Sequence, residues 1–129
     1  PDTVVTNDPT ARWYGSQYIN HPDHRAIGDA ALDAIFPAAR NHLIFPELLQ
    51  VEGLAPHKVT AVYLCGTHDP NAKIDVTAYL DAKIGALREH KSQIADMEEM
   101  ERRQRARVDA EFVSDGPRYT EEFRVFTLR

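Results

Sequence analysis

The segment KVTAVYLCGTHDPN, residues 58–71, is the strongest indication of the fold, because it has the pattern of a buried strand followed at once by a turn. Its first eight residues are mostly apolar and β-branched, which is typical of strands in a protein interior. The next six are turn formers. A second run of the same kind, DTVVTNDPT, covers residues 2–10. Ligand-binding loops follow strands of this kind in α/β proteins, so both turns are candidate site segments.

The segment between these strands predicts a helix. From Asp23, which we predict as the N-cap, apolar residues recur at helical spacing until Pro37; they are Ile27, Ala30, Ala31, Ala34 and Ile35. A last strand is predicted in YTEEFRVFTLR, residues 119–129. Strands separated by helices predict an α/β fold, here a partial Rossmann-like three-layer arrangement with a mostly parallel sheet and flanking helices. Three strands make a thin sheet, so further strands or a partner subunit are expected.

Length and charge limit the possible functions. The 129 residues carry a net charge of −5, which argues against binding nucleic acid or an anionic membrane through the overall field. We expect one domain, residues 1–129, forming the C-terminal portion of a larger domain. The single cysteine, Cys65, excludes an internal disulfide and, with no apolar run long enough to span a bilayer, predicts a cytoplasmic protein.

The charged segment near the C-terminus predicts a polar helix over residues 92–111. Glutamates precede arginines by four residues, in the order that stabilises a helix; the pairs are Glu98 with Arg102, Glu99 with Arg103, and Glu101 with Arg105. We interpret this segment as a solvated helix face. The acidic partners neutralise the positive charge of the run RRQRAR, so we do not interpret that run as a nucleic-acid-binding patch.

Two histidines at the start of the first helix are the candidate functional residues. In INHPDHRAIGDAALDA, residues 19–34, an Asp23 cap makes His24 the first helical residue. The positive end of the helix dipole there favours a neutral ring, which is the form that binds metals. His21 lies just before the cap. The alternative is a pair of surface histidines at an ordinary helix start, because catalytic zinc takes three protein ligands.

Beyond this motif, the sequence resembles the C-terminal half of PIG-L/LmbE-like zinc-dependent N-deacetylases. The resemblance runs in order through HPDHRAIGDAALDAIFPAARN, APHKVTAVYL, IDVTAYLDAKIGALREHKSQI and YTEEFRVF, and so covers nearly the whole chain. It implies a hydrolase with a Zn²⁺ cofactor that removes the acetyl group from an N-acetylglucosamine-type sugar or conjugate. The products of that reaction are acetate and a free amine.

The resemblance also implies a role for individual residues. His24 corresponds to a zinc ligand, His21 to the histidine that assists the tetrahedral intermediate or protonates the leaving amine, and Asp23 to a supporting residue. Gln93 matches a glutamine near the substrate pocket, although a helix-end hydrogen bond is an equal alternative. Trp13 and Tyr14 are candidate substrate-binding aromatics, and their alternative is packing of the loop at residues 7–22 against its own domain.

The sequence departs from the family pattern at its first motif. The Ala-His-Pro-Asp-Asp-Glu type segment, which supplies two zinc ligands and the base, is absent, and Ile19 stands where some members carry a tyrosine. We therefore expect this chain to supply half of a site, as a homo-oligomer or by pairing with a missing N-terminal half. The alternative is a truncated, non-catalytic module that self-associates and binds a ligand or partner.

Overall fold

The computed structural model describes residues 1–109 and 118–129, which form two compact units. The first unit is Pro1–Ala72 with Glu122–Arg129, and the second is Lys73–Glu121. The prediction of one domain within a larger fold stays a prediction. In chain order the elements are β1 (Thr3–Asn7), β2 (Trp13–Tyr14), β3 (Tyr18–Ile19), α1 (Pro22–Ile35), α2 (Pro46–Gln50), β4 (Ala61–Cys65), β5 (Ala72–Asp75), α3 (Leu80–Arg88), α4 (Met97–Arg105) and β6 (Thr120–Thr127).

The sheet of the first unit confirms the predicted α/β class and is mixed in direction. Strand order is β1-β4-β6, with β1 parallel to β4 and β6 antiparallel to it. Val4 lies opposite Val62, which lies opposite Phe126. β1 and β4 are parallel because the chain crosses over between them through α1, whereas β6 runs antiparallel to β4. The start of β6, in the second unit, neighbours β5, a strand that the sequence analysis did not predict.

The core of the first unit lies between the sheet and α1. Alternation along β4 buries Val62 and Leu64 on one face, where they meet Ile35 and Val59. Partly buried side chains complete the cluster: Val4, Leu32 and Leu128. An apolar side chain of this size stabilises the folded state by about 1.5–3 kcal/mol when it is fully buried. This packing fixes α1 against the carboxyl end of β1 and so positions the loop between them.

A glycine permits the closest approach of α1 to that loop. A Cβ atom built on Gly28 would lie 2.5 Å from the carbonyl oxygen of Asn7 and 3.1 Å from Cδ of Pro9. Real Cβ atoms do not approach a backbone oxygen so closely. Gly28 is buried within the helix, where glycine otherwise costs helix stability. Close packing of the helix on the end of β1 therefore requires glycine at this position.

In the second unit, α4 is shorter than the predicted helix over residues 92–111, of which residues 110 and 111 lie outside the described part of the chain. The three predicted i,i+4 ion pairs are present, at 3.9, 2.7 and 2.9 Å. Asp96 is the N-cap of α4, and its Oδ1 accepts a hydrogen bond from the Glu99 backbone N–H at 2.8 Å. Among the described residues, no helix has the length and apolarity needed to cross a bilayer.

Candidate functional site

The helix α1 begins two residues earlier than predicted, at Pro22 and not at His24, which changes the role of each residue around it. Pro22 is the first helical residue, and its fixed φ suits that position. The residue before a proline is confined to extended conformations, so His21, with φ −58° and ψ 138°, is the N-cap. The predicted Asp23 cap is therefore wrong. Asp23 lies in the first turn, and its side chain is 86% exposed.

The cap interaction assigns a tautomer to His21. Its Nδ1 accepts a hydrogen bond from the backbone N–H of Asp23 at 3.2 Å. A ring nitrogen that accepts carries no proton, so in the neutral ring the proton is on Nε2. The carboxylate of Asp23 lies 3.6 Å from the same Nδ1. His21 therefore directs a hydrogen-bond donor, Nε2–H, away from the helix.

A buried asparagine assigns the opposite tautomer to His24. Nδ2 of Asn20 donates to the carbonyl oxygen of Ala11 at 2.7 Å, and Oδ1 of Asn20 lies 3.1 Å from Nδ1 of His24. Because Ala11 offers only an acceptor, the amide orientation is fixed, and Oδ1 can only accept from the ring. The proton of the neutral His24 ring is therefore on Nδ1. Its Nε2 keeps a lone pair for an external partner.

Together these adjacent rings present two different functional groups to the same region of the surface. Their centroids are 5.9 Å apart with an interplanar angle of 52°. One ring presents a donor at Nε2 and the other presents a lone pair at Nε2, a combination that can bind a metal on one side and stabilise a developing negative charge on the other. The sequence analysis named both histidines but missed Asn20, although Asn20 directly precedes the HPDH motif.

The turn after β1 is held by a buried carboxylate. Asp8 is 5% exposed, and it accepts hydrogen bonds from the backbone N–H of Thr10 at 2.8 Å and from its hydroxyl at 2.6 Å. Burial alone disfavours the ionised form of Asp8, but hydrogen bonds from the Thr10 and Thr67 side chains outweigh it and hold the pKa below its usual value. Asp8 thus connects the turns that follow β1 and β4.

The predicted aromatic residues lie on the short hairpin formed by β2 and β3. Trp13 is 61% exposed and lies opposite Ile19, whereas Tyr14 lies opposite Tyr18. Consecutive residues of a strand point to opposite faces, so Trp13 and Tyr14 cannot contact the same side of one sugar ring. The Tyr14 hydroxyl donates to the carbonyl oxygen of Gly66 at 2.5 Å. That bond ties the hairpin to the turn after β4.

Gln93 lies in the second unit, in the segment between α3 and α4. Its backbone N–H donates to the carbonyl oxygen of His90 at 2.9 Å, and the residue lines an open groove with Ile94 and Met100. Its role in substrate binding stays a prediction.

The histidine pair does not form a complete metal centre with its surroundings. Within residues 1–109 and 118–129 there is no group of three or more His, Cys, Asp or Glu side chains that could hold a metal ion. His24 offers one donor through Nε2, whereas Nδ1 of His21 is used by the helix cap. The described residues therefore suit one position in a coordination sphere, and a zinc ion needs further donors.

Comparison with known proteins agrees with the resemblance in the sequence. No family model matches the chain. It is 33% identical over 96 residues to diacetylchitobiose deacetylase of Thermococcus kodakarensis, an alignment that covers 74% of this chain and 33% of the relative. The solved structure of N,N'-diacetylchitobiose deacetylase from Pyrococcus horikoshii with its inhibitor MPG is similar at a TM-score of 0.75 and 31% identity. That match covers 98% of this chain and 46% of the other, so the chain spans less than half of either relative. Both relatives are members of the PIG-L/LmbE-like deacetylase family, and this chain is homologous to part of each of them.

Proposed function

We propose that this chain takes part in the hydrolytic N-deacetylation of an N-acetylglucosamine-type sugar or conjugate, with the histidines at the start of α1 in the reaction site. One observation carries the proposal: the hydrogen-bond partners of two adjacent rings favour opposite tautomers, one offering a lone pair and the other a proton. The similarity to diacetylchitobiose deacetylases supports the substrate class.

In this proposal His24 supplies one ligand to a zinc ion through Nε2. When bound, a zinc ion would polarise a carbonyl group and lower the pKa of a bound water to about 7. The remaining donors and the general base come from other parts of the polypeptide or from a partner subunit, because the described residues hold no three-donor group. The requirement for zinc, the partner and a cytoplasmic location remain proposals from the sequence.

His21 is the proposed donor to the substrate. As the acetamide carbon becomes tetrahedral, its oxygen gains negative charge, and the Nε2–H of His21 is a neutral donor able to bind it. A second proton, released from the attacking water through the general base, would convert the ring to imidazolium. In that form the ring can give a proton to the leaving nitrogen, which departs as an amine, and return to its neutral state. Asp23 lies beside this ring at 3.6 Å and stabilises positive charge on it if the ring gains a second proton.

The test measures acetate release from N,N'-diacetylchitobiose and bound zinc per chain, using the full-length product of the gene. We expect His24→Ala to lose zinc and activity together. We expect His21→Ala to keep zinc while kcat falls by about 10²–10³, the usual cost of losing one oxyanion donor. His42→Ala is the control, because His42 is exposed on a loop of the same unit and outside this site.

Acetate release by the 129-residue chain alone would show that our expectation of a half site is wrong. A full-length product that neither binds zinc nor releases acetate would instead support the non-catalytic module. Retention of zinc and activity by His24→Ala would refute the ligand assignment.

A further inference from the structure

We propose that Asn20 is a positioning residue that sets the tautomer and direction of the His24 ring for metal binding; this inference rests on the proposed function. Asn20 is 3% exposed, although the histidine that it contacts is exposed. A buried asparagine needs partners for both ends of its amide. Here one partner is a backbone carbonyl, and the other is the imidazole ring.

The amide of Asn20 has one acceptable orientation. If the amide were reversed, its Oδ1 would face the carbonyl oxygen of Ala11. Both atoms are acceptors, so the buried hydrogen bond of 2.7 Å would be lost. Ala11 is fully buried, so water does not replace that bond. Oδ1 therefore faces Nδ1 of His24 in the folded chain.

The backbone of Asn20 is held as firmly as its side chain. Its N–H donates to the carbonyl oxygen of Arg12 at 2.9 Å, and its own carbonyl oxygen accepts from Nη1 of Arg25 at 2.5 Å. Those two bonds connect the residue to the base of the β2–β3 hairpin and to the first turn of α1. The amide therefore has a defined position from which to orient the ring.

The physical consequence concerns the second ring nitrogen. If His24 carried its proton on Nε2, two lone pairs would face each other, at Nδ1 and at Oδ1 of Asn20, and Nε2 would have no lone pair for a metal. Residues that orient a histidine ligand in this way typically contribute 10- to 100-fold to metal affinity. Asn20 removes the competing tautomer before any metal binds.

The primary experiment needs neither metal nor substrate. Long-range ¹H–¹⁵N spectra of the 129-residue chain with ¹⁵N-labelled histidine, at pH 9 where histidine rings of ordinary pKa are neutral, report which ring nitrogen carries the proton. The His24 signals are assigned by their loss in His24→Gln. We expect His24 with its proton on Nδ1 and His21 with its proton on Nε2.

Two variants and a matched control separate positioning from folding. Asn20→Leu removes both side-chain bonds, and we expect the Nδ1–H to Nε2–H ratio of His24 to fall by about tenfold, the value of one hydrogen bond. Asn20→Asp loses the bond to Ala11, as Asn20→Leu does, but keeps an acceptor against the ring and is expected to keep the Nδ1–H form. Asn71→Leu is the control, because Asn71 also bonds to backbone groups of the first unit, both of Val125, yet is not hydrogen-bonded to a histidine.

A second measurement links the tautomer to the metal. In the full-length product, we expect Asn20→Leu to weaken zinc affinity, measured by competition with a chelator, by 10- to 100-fold, and Asn71→Leu to leave it unchanged. A His24 ring with its proton on Nε2 in the unmodified chain, or a tautomer ratio unaffected by Asn20→Leu, would overturn the inference. Failure to release acetate from diacetylchitobiose, with the expected tautomers present, would refute the proposed function alone.

Discussion

Replacing Gly28 with alanine tests how closely α1 must approach the end of β1. In an exposed helix interior this change stabilises a protein by about 1 kcal/mol, because alanine has the higher helix propensity. At Gly28 the new Cβ meets the carbonyl oxygen of Asn7 at 2.5 Å, roughly half an ångström inside the closest contact that real Cβ atoms make. Backbone cannot turn aside as a flexible side chain can, so the helix or the turn must shift. Such overpacking costs about 1–3 kcal/mol, and we expect it to exceed the gain in propensity.

The assay is urea unfolding of the 129-residue chain, with Gly85→Ala as the matched control. Gly85 also lies within a helix, α3, but a Cβ built there has no neighbour within 4 Å. We therefore expect opposite signs: a net loss of up to about 2 kcal/mol in the free energy of unfolding for Gly28→Ala and a gain of about 0.5–1 kcal/mol for Gly85→Ala. Equal stabilisation by both substitutions would refute the close approach. Because α1 carries His21 and His24, Gly28→Ala should also weaken zinc binding by the full-length product.

Two further predictions concern the core and the turn after β1. Ile35 is 5% exposed, so Ile35→Ala should lower the free energy of unfolding in urea by about 2–5 kcal/mol. Ile27 lies on the same helix but is 55% exposed, so Ile27→Ala should lower that free energy by less than about 1 kcal/mol. Equal losses would contradict the assigned buried and exposed faces of α1. For Asp8, a folded-state pKa below the usual 3.8 means that its contribution to stability is present above that pH and is lost as the pH falls through the folded-state value. Asp8→Asn should therefore reduce the slope of stability against pH below about pH 4, whereas the same change at the exposed Asp29 serves as the control. An unchanged slope in Asp8→Asn would remove Asp8 as the source.

Local patterns of residues were enough to predict the α/β class and most of the elements around the site. Apolar β-branched runs predicted β1 and β4 because only buried strands combine that composition with turn formers at their ends. The helical period predicted α1, and the charge spacing predicted the ion pairs of α4, since both depend on residues close together in the chain. The HPDH motif directed attention to His21 and His24.

The hydrogen-bond partners of those two rings, and the packing that supports them, became clear only from contacts between distant parts of the chain. The cap on α1 was open to prediction, because a proline at the first helical position makes His21 the N-cap. The contacts of Asn20 could not be predicted from the sequence, since its amide orientation depends on the carbonyl of Ala11, nine residues away across a hairpin. The need for glycine at position 28 likewise arises only when α1 meets the end of β1. Hydrogen-bond direction and close packing depend on atoms brought together by folding, and residue spacing along the chain does not encode them.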